Sequence, residues 1–395
     1  MKIVSLSSSF PSPVHPTAGI FVLHRLAAVA RLGADIEVVH PMATCPLIGR
    51  LRDRGPVPAR EVRGGLTVHH RPFAYLPGLL KRLDGHSYYR GLVRWMEAYC
   101  RRRRIDLLDA HFAWPDGVGA SYLARRLGLP YVLTLRGTIN SRAGLPAFRA
   151  RLADAVRRAD AVISVSGPMA DLAVELGARA ERVGVIANGV DAETFKPIPR
   201  DEARRRLGLA ADGPLIVCVA SAKPQKGHED LIAALARLQA AARVVLVGGP
   251  SGSGRYERRL AGQARVRGLA DRVVFAGRQD PSRVADYLNA ADVSVLASHS
   301  EGCPNVVLES LACGTPVVAT AVGAVPDLLR AGQTGLIVPP RDPAALAEAL
   351  DGALTADWSR EAIRASVQDR SWAAVGERVL AVFHEVLDGR TRQDG

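Results

Sequence analysis

Short runs rich in β-branched and apolar residues alternate along this chain with longer stretches whose apolar positions recur at helical spacing. "KIVSLS" opens the series. A loop, "SFPSPVHPTAG", leads to the helical pattern "IFVLHRLAAVARLG", which closes on Gly33, and "IEVVHP" follows as the next strand. Strand, helix and strand in that order predict a βαβ unit and a parallel sheet. "LLDAHF", "YVLTLRG", "AVISVS" and "VGVIANGV" continue it, with the helix "DGVGASYLARRLG" between the first two. The stretch "NGVDAETFKPIPRDEARRR" has turn residues, two prolines and mixed charge, which marks a domain boundary. Alternation then restarts with "LIVCVAS", "EDLIAALARL", "ARVVLVGG", "ERRLAGQARVRG", "RVVFAG", "SRVADYLNA", "VSVLAS" and "PVVAT", and a last helix runs from Trp372 to Leu387. The fold class is α/β, with two doubly wound halves: 1–195 and 196–371. No sequence repeat relates the two halves.

Ligands of open α/β sheets bind outside the carboxyl ends of the strands, so the residues just after strands are the candidates. After "VSVLAS" comes "SEGCPNVVLESLACG", with Glu301 in the loop and Glu309 one to two turns into an apolar helix. Pro304 suits the first turn, and Gly314 suits the end. The amides of Cys303, Asn305 and Val306 would face a ligand at the helix N-terminus, where phosphate is favoured. Two carboxylates roughly 7–8 Å apart along the axis, at ~1.5 Å per residue, could hold hydroxyls of two sugar rings. The bland alternative is that Glu301 caps the helix and Glu309 is solvated. After "LIVCVAS", Lys226 and Gly227 precede a helix and suit a diphosphate, although an exposed turn lysine would look the same. In the first half, Gly19 opens a helix and lets backbone approach a phosphate, and a plain turn glycine would also fit. His111 ends a strand and would face the cleft as a hydrogen-bonding group or proton relay. A lone histidine is more often structural.

Composition changes the picture in three ways. At 395 residues, two domains are expected, and 48% apolar with 23% charged residues is ordinary for a globular protein. No apolar run approaches the ~18 residues of a spanning helix, and the start is too weak for a signal peptide, so a cytoplasmic protein is expected. The five cysteines form no CxxC or Cys/His pattern and read as reduced packing residues. The net charge of +13 is lopsided: residues 1–199 hold 28 Lys and Arg against 16 Asp and Glu, and residues 200–395 hold 24 against 23. The first half therefore seeks an anionic partner. Residues 71–104 combine Arg71, Lys81, Arg82, Arg90, Arg94 and Arg101–Arg104 with Tyr75, Leu79, Leu80, Tyr88, Tyr89 and Trp95. That mixture suits an anionic membrane surface, or else a solvated helix face over core aromatics. "GGPSGSGRY" resembles a phosphate loop but has Arg255 and Tyr256 where lysine and Ser/Thr belong. The Arg101–Arg104 run has no accompanying nucleic-acid motif.

"SEGCPNVVLESLACGTPVVAT", with "GAVPDLL" and "GLIVPP" after it, resembles the E-x7-E signature of family 4 glycosyltransferases, of the bacterial cell-surface polysaccharide type. "VASAKPQKG", "VFAGRQDPSRVADYLNAADVSVLAS", "VIANGVDAETFKP" and the amino-terminal block resemble the family's other motifs. The resemblance covers nearly the whole chain. It implies a GT-B fold, two Rossmann-like domains facing across a cleft, with 1–195 on the acceptor side, 196–371 binding the donor and helix 372–388 packing back on the first domain. It implies retaining transfer from a nucleotide-sugar (UDP- or GDP-linked) to a saccharide or lipid-linked acceptor, with the leaving diphosphate helping to deprotonate the acceptor. By position, Glu309 would hold the ribose, Lys226 and Gly19 the diphosphate, and Glu301 with the amides of Cys303, Asn305 and Val306 the sugar and phosphates. His111 would lie near the reacting sugar. No Asp-x-Asp motif is present, and no metal or cofactor is expected. Four positions depart from the family: Ser221 replaces a common arginine at the donor diphosphate, Ala324 a glycine, Asp327 a glutamate, and Arg136 a histidine, where it could touch phosphate or an acidic acceptor.

Other classes fit less well. A glycoside hydrolase would use paired carboxylates but leave Lys226 idle. A dinucleotide oxidoreductase needs a G-x-G-x-x-G that "SLSSSFPSP" lacks. A non-catalytic sugar-nucleotide binder and a GT-B epimerase remain the alternatives.

Overall fold

The computed structural model describes residues 1–45, 57–75, 78–249 and 252–391. Pro250 and Ser251 of the glycine-rich turn lie outside them, as does the side chain of Leu79. Two compact units form. One holds Met1–Gly189 together with the stretch from Trp372 onward, and the other is Val190–Ser371.

The first unit carries β1 (Lys2–Leu6), β2 (Asp35–Thr44), β3 (Arg60–Arg63), β4 (Leu66–Ala74), β5 (Leu107–His111), β6 (Tyr131–Leu135), β7 (Ala161–Ser164) and β8 (Val183–Val185), in the spatial order β3-β4-β2-β1-β5-β6-β7-β8. All neighbours are parallel except β3 and β4. Every residue of β5 and β6 is buried, as expected for strands covered on both faces. The β3–β4 hairpin escaped the sequence reading. Its signal was "RGGL": Gly64 and Gly65 both have positive φ, at 56° and 79°, as a two-residue hairpin turn requires. The edge strand β3 is short and mostly charged, which discourages pairing with another chain. The last helix, Trp372–Thr391, packs on Ile20–Arg31. Val375, Val379 and Phe383 join Val22, Leu26 and Val29 in one core, and Gly376 leaves room for Ala28.

The second unit carries β9 (Leu215–Val219), β10 (Arg243–Val247), β11 (Val273–Gly277), β12 (Val293–Leu296), β13 (Val317–Thr320) and β14 (Gly335–Val338), all parallel, in the order β11-β10-β9-β12-β13-β14. Counted within the unit, this is the 3-2-1-4-5-6 order of dinucleotide-binding sheets. β14 was not counted as a strand from the sequence. Residues 190–195, assigned above to the first domain, pack in this unit instead. Val190 bridges to Ser371, and Phe195 sits in the second unit's core.

The loops after β9 and β12 meet at the point where strand order reverses. Gly227 has φ +65°, and a Cβ there would stand 1.8 Å from the Ala297 carbonyl oxygen. Gly227→Ala should therefore cost roughly 1–3 kcal/mol for backbone strain alone, before the clash. A fall of roughly 2–4 °C in melting temperature per kcal/mol is expected for a unit of this size. Calorimetry showing an unchanged transition would contradict this account.

Candidate active site

In the second unit, the two loops at the reversal point are tied together. The His299 amide donates to the Gln225 carbonyl at 2.8 Å, and Gln225 Nε2 donates to the Ser300 carbonyl at 3.0 Å. Lys226 Nζ lies 2.6 Å from Glu301 Oε1. The motif positions assign these two residues separate roles, whereas the structure makes them an ion pair. His299 pairs with Asp230 at 2.7 Å. From the other side the Ala324 amide donates to the Gly302 carbonyl at 2.8 Å, and a Cβ on Gly323 would meet that carbonyl at 2.4 Å. Ala324 itself has an ordinary φ of −81°, so the alanine at a common glycine position carries no strain. Ser221 is half-buried just past β9, beside the exposed Lys223. Asp327 lies in the short helix Val325–Leu328.

The helix after β12 spans Asn305–Ala312, with Pro304 at its N-cap rather than inside the first turn. Its first-turn residues, Asn305 and Val306, and Cys303 just before the N-cap Pro304 sit at the positive end of the helix. Val306, Val307, Leu308, Leu311 and Ala312 are buried. Gly314, at φ +74°, ends the turn, and Arg360 donates to the Cys313 carbonyl at 2.9 Å. Glu309 sits in the second turn. The residue keeps some solvent contact, but its carboxyl is surrounded at depth, and burial pushes its pKa up to about 7. Among the described residues, no cation pairs with it. An isolated carboxylate held this way is costly unless something supplies donors.

In the first unit, Gly19 caps the helix Ile20–Arg31 with φ +61°. A Cβ there would lie 1.9 Å from the Ser9 carbonyl oxygen, so glycine is required by the loop itself. His111 is fully buried rather than open. Its Nε2 lies 2.9 Å from Asp109 Oδ2, and its Nδ1 lies 3.5 Å from Arg136 Nη2. The ring is thus flanked within the unit by an acid at ion-pair distance, without hydrogen-bond alignment, and by a guanidinium. Burial holds its pKa below the ordinary histidine value, and the nearby Arg136 and Arg25 act in the same direction, outweighing Asp109. Arg136, also buried, donates to Asn188 Oδ1 at 2.9 Å and lies over the Phe21 ring at 4.6 Å.

The family described as Glycosyltransferase Family 4 matches residues 18–194, and Glycosyl transferases group 1 matches 199–370. The chain is 34% identical to a D-inositol 3-phosphate glycosyltransferase of Acidothermus cellulolyticus, over 94% of this chain and 86% of that protein. It is 32% identical to the putative teichuronic acid biosynthesis glycosyltransferase TuaC of Bacillus subtilis, over 89% and 88%. The chain belongs to the family 4 glycosyltransferases. Its fold resembles sucrose-phosphate synthase from Thermosynechococcus elongatus, with TM-score 0.80 and 24% identity over 98% of this chain and all of that one. Anabaena HepE in complex with UDP gives 0.76 and 21% over the same shares. The fold is GT-B.

Several residues of this glycosyltransferase escaped the sequence reading. Asp109 shares a strand face with His111 through their i, i+2 spacing, which "LLDAHF" displays. It accepts from Ser5 Oγ at 2.8 Å. Burial alone would raise its pKa, but His111, Ser5 and Arg25 together keep it below the usual carboxylate value. Arg25, Asn188 and Asp116 carried no local signal. Asp116 accepts from the Ser8 amide at 2.5 Å, Ser8 Oγ at 2.6 Å and Tyr88 Oη at 3.3 Å. It thereby fixes the loop that leads to Gly19, and burial raises its pKa to about 7. Of the aromatics in 71–104, Phe73 and Tyr88 are buried, while Tyr75, Tyr89, Trp95 and Tyr99 are half-buried. Tyr88 is fully buried, and Trp95 stacks on Tyr99 at 4.8 Å beneath the Arg71 guanidinium at 4.5 Å. Arg82, Arg90, Arg94 and Arg101–Arg104 remain exposed. No helix among the described residues is long and apolar enough to cross a membrane.

The state of Glu309 has a measurable consequence. A carboxyl raised from 4.5 to about 7 costs stability as pH climbs between those values, and the cost is fully present above the upper one. Glu309→Gln should therefore leave stability near pH 4.5 almost unchanged and raise it at pH 8 by roughly 1–3 kcal/mol. Denaturant titrations at the two pH values check this. An equal effect at both would remove the buried-charge account.

Proposed function

We propose that this glycosyltransferase moves a sugar from a UDP- or GDP-sugar to a saccharide or lipid-linked acceptor in cell-surface polysaccharide synthesis, with retention of anomeric configuration. The observation that carries the donor assignment is Glu309, a deep carboxylate with no cation among the described residues. It is mounted on the helix that follows the reversal point of a dinucleotide-type sheet. A ribose diol offers two O–H donors to such a group. Bound UDP in the Anabaena HepE structure and the polysaccharide role in the TuaC name support the same reading.

In this scheme the diphosphate meets Lys226 and the helix N-terminus at Asn305 and Val306. With more than one negative charge, it competes with the single Glu301 carboxylate for the ammonium. Glu301, released or shared, accepts from donor-sugar hydroxyls. The bond from the sugar's anomeric carbon to the β-phosphate oxygen breaks as the acceptor oxygen adds to the same face. The acceptor's proton passes to the departing phosphate oxygen. Lys226 and the helix amides offset the charge that develops there, and no divalent ion is required. His111, braced by Asp109 and Arg136, shapes the sugar's surroundings without transferring a proton.

Glu309→Ala should lose ~1.5–3 kcal/mol of nucleotide affinity, the usual worth of hydrogen bonds to a charged group. Lys226→Ala should weaken nucleoside diphosphates far more than the nucleoside. Titration calorimetry that finds wild-type affinity for UDP and GDP in both variants would sink the donor site. In a turnover assay, the product should keep the donor's anomeric configuration by NMR, chelation should leave the rate intact, and His111→Ala should slow turnover at unchanged nucleotide affinity. Inverted product, or a rate abolished by chelation and restored by manganese, would overturn the proposed chemistry.

A further inference from the structure

Away from the strand ends, His86, Tyr89, Tyr122, Arg125 and Arg126 line a cavity of about 440 Å³. It lies between helices Asp84–Arg102 and Val118–Leu127, on the outer helical layer of the first unit. Its volume falls within the ~300–1,000 Å³ of ordinary ligand pockets. No role described above uses these residues.

The lining has a definite chemistry. The Tyr89 and Tyr122 rings meet edge to face, 6.0 Å apart at 84°, so ring face remains for another group to lie against. The His86 ring stands 6.3 Å from Tyr89. Arg126 is held by Glu97 at 2.6 Å, which fixes its direction. Arg125 is exposed and forms no ion pair among the described residues. Arg90 and Arg94 are exposed on the same helix as Tyr89. Two guanidinium groups, Arg125 and Arg126, thus share the lining with two tyrosines, and Glu97 pairs with one of them.

We infer that this groove binds an acidic oligosaccharide, a segment of acceptor or product chain carrying carboxylates. The apolar C–H face of a sugar ring packs on an aromatic face by the same burial that drives other apolar contacts. A guanidinium binds a carboxylate with two parallel hydrogen bonds. A concave site with half-buried tyrosines suits a chain of rings better than a lipid surface, which is met by protruding side chains. A bare anion would use the arginines and leave the tyrosines unused.

The probe is a hexamer of α-1,4-linked galacturonate, with maltohexaose as the neutral counterpart, titrated into the full chain. The galacturonate should bind at least ten-fold tighter than maltohexaose and weaken as salt rises. Arg125→Gln and Tyr122→Ala should each lower that affinity several-fold. Both should leave UDP and GDP affinity unchanged, a control that also reports correct folding. Arg125→Gln, at an exposed position, keeps the test usable if Tyr122→Ala fails to fold. Equal binding of both hexamers, or no binding of galacturonate, would overturn the proposal. So would full competition by inorganic phosphate with Tyr122→Ala without effect, which would mean a simple anion site. Vesicles containing anionic lipid that bind and are released by Arg125→Gln, in the absence of galacturonate binding, would replace the glycan with a membrane.

Discussion

Close backbone approach at the reversal point of the second sheet is the constraint on which the donor-side arrangement depends. Parallel strands deliver their loops to one edge, and strand order 3-2-1-4-5-6 separates the crossovers at β9 and β12. The two loops then come within hydrogen-bonding distance only because Gly227 has no side chain to meet the Ala297 carbonyl. Gly323 performs the same service beneath the Glu301 loop. With both contacts made, Lys226 and Glu301 can pair just before the helix that bears Glu309.

Charge is the second organising element, and it is spent unevenly. Glu301 is neutralised by Lys226, and Asp109 is supported by Ser5, His111 and Arg25. Among the described residues no cation supports Glu309, so its burial as a carboxylate is a net cost to the fold. Asp116 is the counter-example. It is the more deeply buried of the two and its pKa is raised to a similar value, but Ser8 and Tyr88 give it three donors, so it acts as a clamp on the loop before Gly19.

The alternation of strand and helix, the parallel sheets and the family were all legible in the chain itself, because hydrophobic period and loop chemistry are local properties. So were Glu301, Glu309, Lys226 and Gly19, since each follows a strand or opens a helix in a motif with fixed spacing. The β3–β4 hairpin left a local trace in the turn "RGGL", but β3 is short and mostly charged and does not read as core. Which groups would touch was decided by tertiary structure alone. Asp109 and His111 are two residues apart, but Asp116 finds Ser8 across 108 positions and Lys226 finds Glu301 across 75. Such partners meet only through strand order, which no local pattern specifies. Burial is likewise a property of the packed whole. It closed His111 off from solvent, turned Tyr88 inward, and left the exposed arginines and the Tyr89–Tyr122 groove as the surface that the first unit's charge presents.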